Sequence, residues 1–214
     1  MPTRAIDPHL QSIFEELNNE VITLSWKWQI VSRLFESEER VDIANRTAPN
    51  FFLACWMTFR DDVFLALSRI TDPLQSRGQD NLVISRLSEQ LDQKEHPKLH
   101  EELTKLIEVA MKACKPFRNY RHKRLAHNDL NTKLKHTTEA LPGITIEDVN
   151  GAVKSLQEVL NAFNRYFFSS ETYFTIVENG GVKALFVYLQ KGMEAFEDEK
   201  QQMLAAYGLT SGSS

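Results

Sequence analysis

The feature that most constrains this chain is an apolar spacing of three and four residues that recurs along most of its length. Near the start it runs through Ile13, Leu17, Val21, Leu24, Trp28, Val31 and Phe35. Residues spaced in this way share one face of an α-helix, whereas a half-buried strand would alternate. Asp7-Pro8, just ahead, reads as a helix N-cap followed by proline at the first helical position. A short helix over Glu38 to Arg46 is predicted next. A long one restarts at Ala48-Pro49 and continues through Phe51, Phe52, Cys55, Trp56, Phe59, Val63, Leu67 and Ile70. Asp72-Pro73 ends it. Asp72 to Asn81, with Pro73 and Gly78, reads as a connection before a shorter helix around Leu82 to Leu91.

Pro97 opens the next predicted helix, whose seam is Leu103, Ile107, Ala110, Cys114 and Phe117. Continuing the same steps gives Arg121 and then Arg124, so a cation falls where an apolar residue is due. A buried guanidinium is costly unless it is paired or faces a wet cleft. Pro116 complicates the register, because a proline inside a helix can kink it and shift the phase of the residues after it. Residues 131 to 146 form a polar connection with Pro142-Gly143, and two further helical patterns run from Ile146 to Phe168 and from about Gly181 to Tyr207. With only 8 glycines and 7 prolines in 214 residues, strand-and-turn architectures are poorly supported. The expectation is an all-α, single-domain helical bundle of about five to seven helices over residues 1–207, with a flexible tail at 208–214.

Cys55 and Cys114, the only cysteines, both lie in apolar helical patterns, which argues against a disulfide framework or a cysteine metal site. The opening MPTRAIDPHL does not resemble a signal peptide. No stretch approaches the roughly 18 uninterrupted apolar residues of a membrane span. These features lead to the expectation of a soluble, cytoplasmic protein without membrane contact. A net charge of −4 speaks against sequence-blind nucleic-acid binding over the whole surface, but the charge is unevenly spread. Residues 115 to 136 carry seven basic groups against one acid, Asp129, which makes that window +6 and the remainder −10.

Within the basic window lies Arg118-Asn119-Tyr120-Arg121-His122-Lys123-Arg124-Leu125-Ala126-His127-Asn128-Asp129. Arg121-His122 followed by His127 resembles the signature of the HEPN superfamily, an arginine followed by a polar residue with a histidine four to six positions beyond. The string from Arg121 to Asp129 is similar to the AbiU branch of that superfamily, associated with bacterial abortive infection. Upstream, Ala48-Pro49-Asn50-Phe51-Phe52, Arg60-Asp61-Asp62, Leu67-Ser68-Arg69-Ile70-Thr71-Asp72-Pro73, Asn81-Leu82 and Arg86-Leu87 resemble the same branch, so the resemblance spans roughly Glu38 to Asp129. Arg4 and His9 also satisfy the arginine–histidine spacing, at the chain start and a helix cap. What singles out Arg121 and His127 is their setting: a basic island, an arginine in an apolar seam, and the upstream pattern.

The resemblance implies a metal-independent endoribonuclease, a toxin or antiphage effector. Arg121 and His127 would be catalytic, the product a cyclic phosphate, and the site a composite cleft in a homodimer. A histidine near its ordinary pKa of about 6.5 can exchange protons with the 2′-hydroxyl or the leaving oxygen, and an arginine can stabilise charge on the phosphate. Arg118, Asn119, His122, Lys123, Arg124 and Asp129 are the candidate binding residues. Lys123 and Arg124 favour a neutral His127 and Asp129 opposes them. On one regular helix, six residues separate Arg121 and His127 by roughly 120° and about 9 Å, which favours a site shared by two chains. The expected partners are RNA, a second copy of the chain, and an antitoxin or regulatory protein. The alternative is a HEPN module that binds nucleotide, RNA or protein without cutting, and a plain charged surface is the third reading.

Other constellations point away from chemistry. His96 and His100 are spaced for a shared metal but lack a third ligand, and no histidine has a glutamate three residues before it. Asp61, Asp62 and Asp72 read as a solvated helix face and a helix cap. The tryptophans and phenylalanines fall at core spacing. There is no phosphate-cradling glycine loop, serine nucleophile elbow or zinc-finger cysteine spacing, and no metal or cofactor is expected.

Overall fold

A computed structural model describes residues 5–122, 143–175 and 181–207. The elements in order are α1 (Pro8–Leu34), α2 (Glu38–Thr47), α3 (Pro49–Ile70), β1 (Gln75–Ser76), β2 (Gln79–Asp80), α4 (Arg86–Glu89), α5 (Pro97–Ala113), α6 (Lys115–Tyr120), α7 (Ile146–Phe168) and α8 (Gly181–Ala206). The expected all-α class is found, with eight helices among the described residues. The count exceeds seven because the chain breaks at Cys114, which splits one predicted helix into α5 and α6. Residues group into two compact units, 1–29 with 58–176 and 30–57 with 177–214.

In the first unit, α1 buries Leu10, Phe14, Leu17, Val21, Leu24 and Trp28. Phe14 takes the core position in place of the expected Ile13, because its ring stacks on Phe163 with centroids 4.5 Å apart. Asp7 caps this helix, its Oδ1 accepting from the N–H groups of His9 and Leu10 at 2.9 and 3.0 Å. α7 starts at a capping box in which Thr145 and Asp148 each accept from the other's backbone N–H. It packs on α5; it buries Leu156, Leu160, Phe163 and Phe167 among others, and α5 buries Leu99, Leu103, Ile107 and Ala110.

Pro116 does less damage than a mid-helix proline would. It lies in the first turn of α6, where no N–H is needed. The Cys114 N–H donates to Ala110 O at 2.9 Å and the Cys114 carbonyl accepts from Arg118 N at 3.3 Å, so helical phase carries across the break. Phe117 is therefore fully buried, as the seam predicts.

Past α3 the chain makes a two-residue hairpin with Gln75 opposite Asp80. Its turn residues Arg77 and Gly78 both have positive φ, 52° and 77°. This backbone matches the twist of paired strands, and glycine adopts it without strain. Side chains from elsewhere hold the segment leading into it. The Thr71 carbonyl accepts from Arg118 Nη1 at 2.8 Å, the Pro73 carbonyl from Asn81 Nδ2 at 2.8 Å, and the Leu74 carbonyl from Arg86 Nη2 at 2.8 Å. Arg118 Nη2 also donates to Met111 O at 3.1 Å. Arg118 thus serves the C-terminal ends of α3 and α5 together, where carbonyls lack helical partners and a cation is favoured.

In the second unit, Leu34, Ile43, Ala44, Phe52, Val182 and Phe186 form a smaller core. α2 is capped by Ser37, whose hydroxyl accepts from Arg40 N, and packs on α8. The Arg40 guanidinium lies over the Phe186 ring at 5.3 Å.

Arg118→Met keeps an apolar stem but withdraws the donors from two helix-end carbonyls. It is expected to lower unfolding free energy by about 2 kcal/mol, read from urea titration. Burial pushes the Cys114 thiol up to about 12, against the pull of Arg118 and of a hydrogen bond with Thr71. The stability this carries is present below the ordinary thiol range and is lost as pH rises toward 12. An alkylating reagent at about pH 8 should label the half-buried Cys55 and spare Cys114 until denaturant is added, as counted by mass spectrometry.

Candidate functional site

Arg121 follows Phe117 in the seam and marks the point at which the helix changes character. Its own backbone is helical, with φ −56° and ψ −50°, but the turn at Arg121 and His122 widens into π geometry. His127, and with it the Arg121–His127 separation expected on a regular helix, lies outside the described residues.

The cost of placing a guanidinium in the seam is met by Asp72. Arg121 Nη1 donates to Asp72 Oδ2 at 2.7 Å and Nη2 to Oδ1 at 2.7 Å. The two side chains are only 17% and 19% exposed. Two short parallel bonds of this kind fix the guanidinium plane as well as its position, which one bond to a lysine would not do. Asp72 itself is tethered through its N–H, which donates to Arg69 O at 3.1 Å.

The remaining candidates divide. Asn119 and His122 are exposed on the same short segment. Arg118 is turned to the carbonyls of Thr71 and Met111, so it braces the ground on which Asp72 stands. Tyr120 sets its ring edge-on to Phe64, with centroids 5.1 Å apart. Lys123, Arg124, His127 and Asp129 lie outside the described residues.

Elsewhere, Asp61 pairs with Arg60 at 2.8 Å and Asp62 with Lys27 at 2.8 Å, as carboxylates on a helix face. Among the described residues no group of three His, Cys, Asp or Glu side chains is arranged to hold a metal ion. His96, half of the histidine pair spaced for a metal, has Nδ1 3.0 Å from the Tyr166 hydroxyl at the start of α5.

Sequence alone does not assign Asp72, Asn81 or Arg86 these tasks. A helix cap is the expectation for Asp72, and its carboxylate instead holds Arg121. One signal points that way: a seam arginine requires an acid, and Asp72 closes the apolar run of α3. Arg86 bonds Leu74 O and also Asp80, and hydrogen bonds from Gln75 and Arg86 hold the Asp80 carboxyl below its ordinary range.

Chemically, a guanidinium offers five N–H donors in a plane. The Nη1–Nη2 edge is committed to Asp72, and the Nε–Nη edge is a second parallel pair that matches two oxygens of a phosphate.

A family model described as AbiU2, of the HEPN type, matches residues 7–180. That span includes α1 to α7, the hairpin and the segment carrying Asp72, Arg121 and His127, and α8 lies beyond it. No curated protein and no solved structure matches the chain. No helix among the described residues is long and apolar enough to cross a membrane. The matched span covers most of the 214 residues, and the chain belongs to the AbiU2 family of abortive-infection-related HEPN proteins.

Proposed function

We propose that the protein is a metal-independent endoribonuclease of the HEPN type, a cytoplasmic toxin or antiphage effector whose site is shared between two copies of one domain spanning residues 1–207. The observation that carries this reading is the Arg121–Asp72 pair. The arginine of the family signature is held rigidly at the end of a seam, inside a strongly basic window. His127 acts as the proton carrier. It takes the 2′-hydroxyl proton as the 2′-oxygen attacks phosphorus, or protonates the departing 5′-oxygen as the P–O5′ bond breaks. The products are a 2′,3′-cyclic phosphate and a 5′-hydroxyl end. Arg121 stabilises the charge that grows on the non-bridging oxygens. Arg118 braces the site from behind, and Asn119, His122, Lys123, Arg124 and Asp129 belong to the RNA-facing segment.

A non-catalytic binding module is the second reading. It is favoured by the same pair, since Asp72 offsets the charge of Arg121 that a phosphate would otherwise meet. Such a module would hold nucleotide, RNA or a regulatory protein in place.

Purified protein is expected to cleave RNA with EDTA present, and His127→Ala or Arg121→Ala to reduce the rate about a hundredfold or more with unfolding unchanged. Wild-type cleavage by His127→Ala would remove the ribonuclease reading, and induced wild-type protein that leaves growth and cellular RNA intact would favour the binding module. Mixing the two inactive variants tests the shared site. If each cleft takes histidine from one copy and arginine from the other, mixed dimers hold one intact cleft and recover about a quarter of wild-type activity. Sites built within one chain would recover none.

A further inference from the structure

We infer that Asp72 is a positioning residue for the reaction proposed above, holding Arg121 so that its Nε–Nη edge is the one presented to the scissile phosphate. The inference rests on that reading of the site. Its geometric basis is the end-on fork, in which both carboxylate oxygens of Asp72 engage both terminal nitrogens of Arg121 at 2.7 Å. A guanidinium bound by that edge can still turn its side edge to a second anion in the same plane.

The surroundings of Asp72 suit this task. The carbonyls before and after it, those of Thr71 and Pro73, are fixed by Arg118 and Asn81, and the next, Leu74, by Arg86. Three side chains from three different segments therefore immobilise the stretch that carries one carboxylate. A solvated helix cap would need none of them. Arg121, in contrast, sits where the backbone leaves regular helix for a π turn, so its direction is set by its partner more than by its own backbone. Positioning a charged group to within a fraction of an ångström is worth orders of magnitude in rate. The opposite role for the same pair is a latch, in which Asp72 sequesters Arg121 from the phosphate until it is displaced. A latch needs a partner that can move, and the bracing at Thr71, Pro73 and Leu74 argues against it.

The test uses full-length Asp72→Asn, which keeps the shape and removes the charge, and Asp72→Glu, which keeps the charge on a longer stem. Both are assayed for RNA cleavage and thermal unfolding, alone and with Arg121→Lys. Asp72→Asn is expected to lower kcat about tenfold to a hundredfold with little change in KM, and Asp72→Glu to recover part of the loss. In the Arg121→Lys background, where no fork can form, Asp72→Asn should cost much less. A purely structural role would instead reduce activity by the same factor in both backgrounds, in step with the folded fraction. That result, or Asp72→Asn cleaving at or above the wild-type rate, overturns the inference while leaving the ribonuclease reading intact. Should Asp72→Asn fail to fold, Asp72→Glu in the two backgrounds gives the same comparison. A wild-type protein that cuts no RNA overturns the ribonuclease reading and this inference with it.

Discussion

The carbonyls of Thr71, Pro73 and Leu74 follow the end of α3 with no helical N–H to meet, and side chains from three segments of the first unit supply donors to them. Thr71 is fully buried, so its carbonyl must find a donor within the protein or cost stability, whereas Pro73 and Leu74 lie nearer the surface. Here the side-chain donors are two guanidinium groups and one carboxamide, brought from α6, α4 and the strand β2 side of the hairpin, and the Asn81 N–H also donates to the Leu74 carbonyl at 2.9 Å. Arg118 satisfies α5 by the same stroke. Once these bonds are made, Asp72 has a fixed address and Arg121 can be received there. The ion pair is thus downstream of a backbone problem, although it is the part that chemistry would use.

This ordering explains what could and could not be read from the amino acids. The long helices were legible because a three-and-four spacing admits few other structures, and α7, with its Thr145 and Asp148 caps, matches its predicted bounds of Ile146 to Phe168. The hairpin was not legible. Its turn is Arg77-Gly78 where the strongest signals carry Asn or Asp before glycine, and each strand is two residues long with both exposed, so there was no alternation to detect. The predicted helix over Leu82 to Leu91 shrinks to Arg86–Glu89, because the backbone ahead of it is drawn to the α3 end, Asn81 N–H donating to Leu74 O and Ile84 N–H to Ile70 O, both at 2.9 Å. Pro116 suggests a kink that could shift the phase of the seam; the chain instead breaks at Cys114 and the seam runs on to Phe117, since the proline falls in a turn that needs no donor from it.

At the site, Arg121 was visible as an anomaly in a hydrophobic pattern, and that anomaly required an acid. Which acid depended on how α3 and α6 meet, a tertiary fact with no local trace. Asn119 and His122 are exposed. Arg118, three residues before Arg121 and expected from the sequence to bind RNA, is carried along the helix toward the carbonyls of Thr71 and Met111.

The two arginines also differ in what they demand of their neighbours over evolutionary time. Arg118 bonds chiefly to main-chain oxygens, which every residue type supplies, with one longer contact to the Met111 sulfur at 3.7 Å, so what it asks of positions 71 and 111 is mainly the backbone path. Arg121 bonds to a side chain, and a change at position 72 strands it. Among relatives, then, Arg118 should accompany many partners while positions 72 and 121 vary together or not at all, and a lineage that lost one would be expected to have relinquished the other.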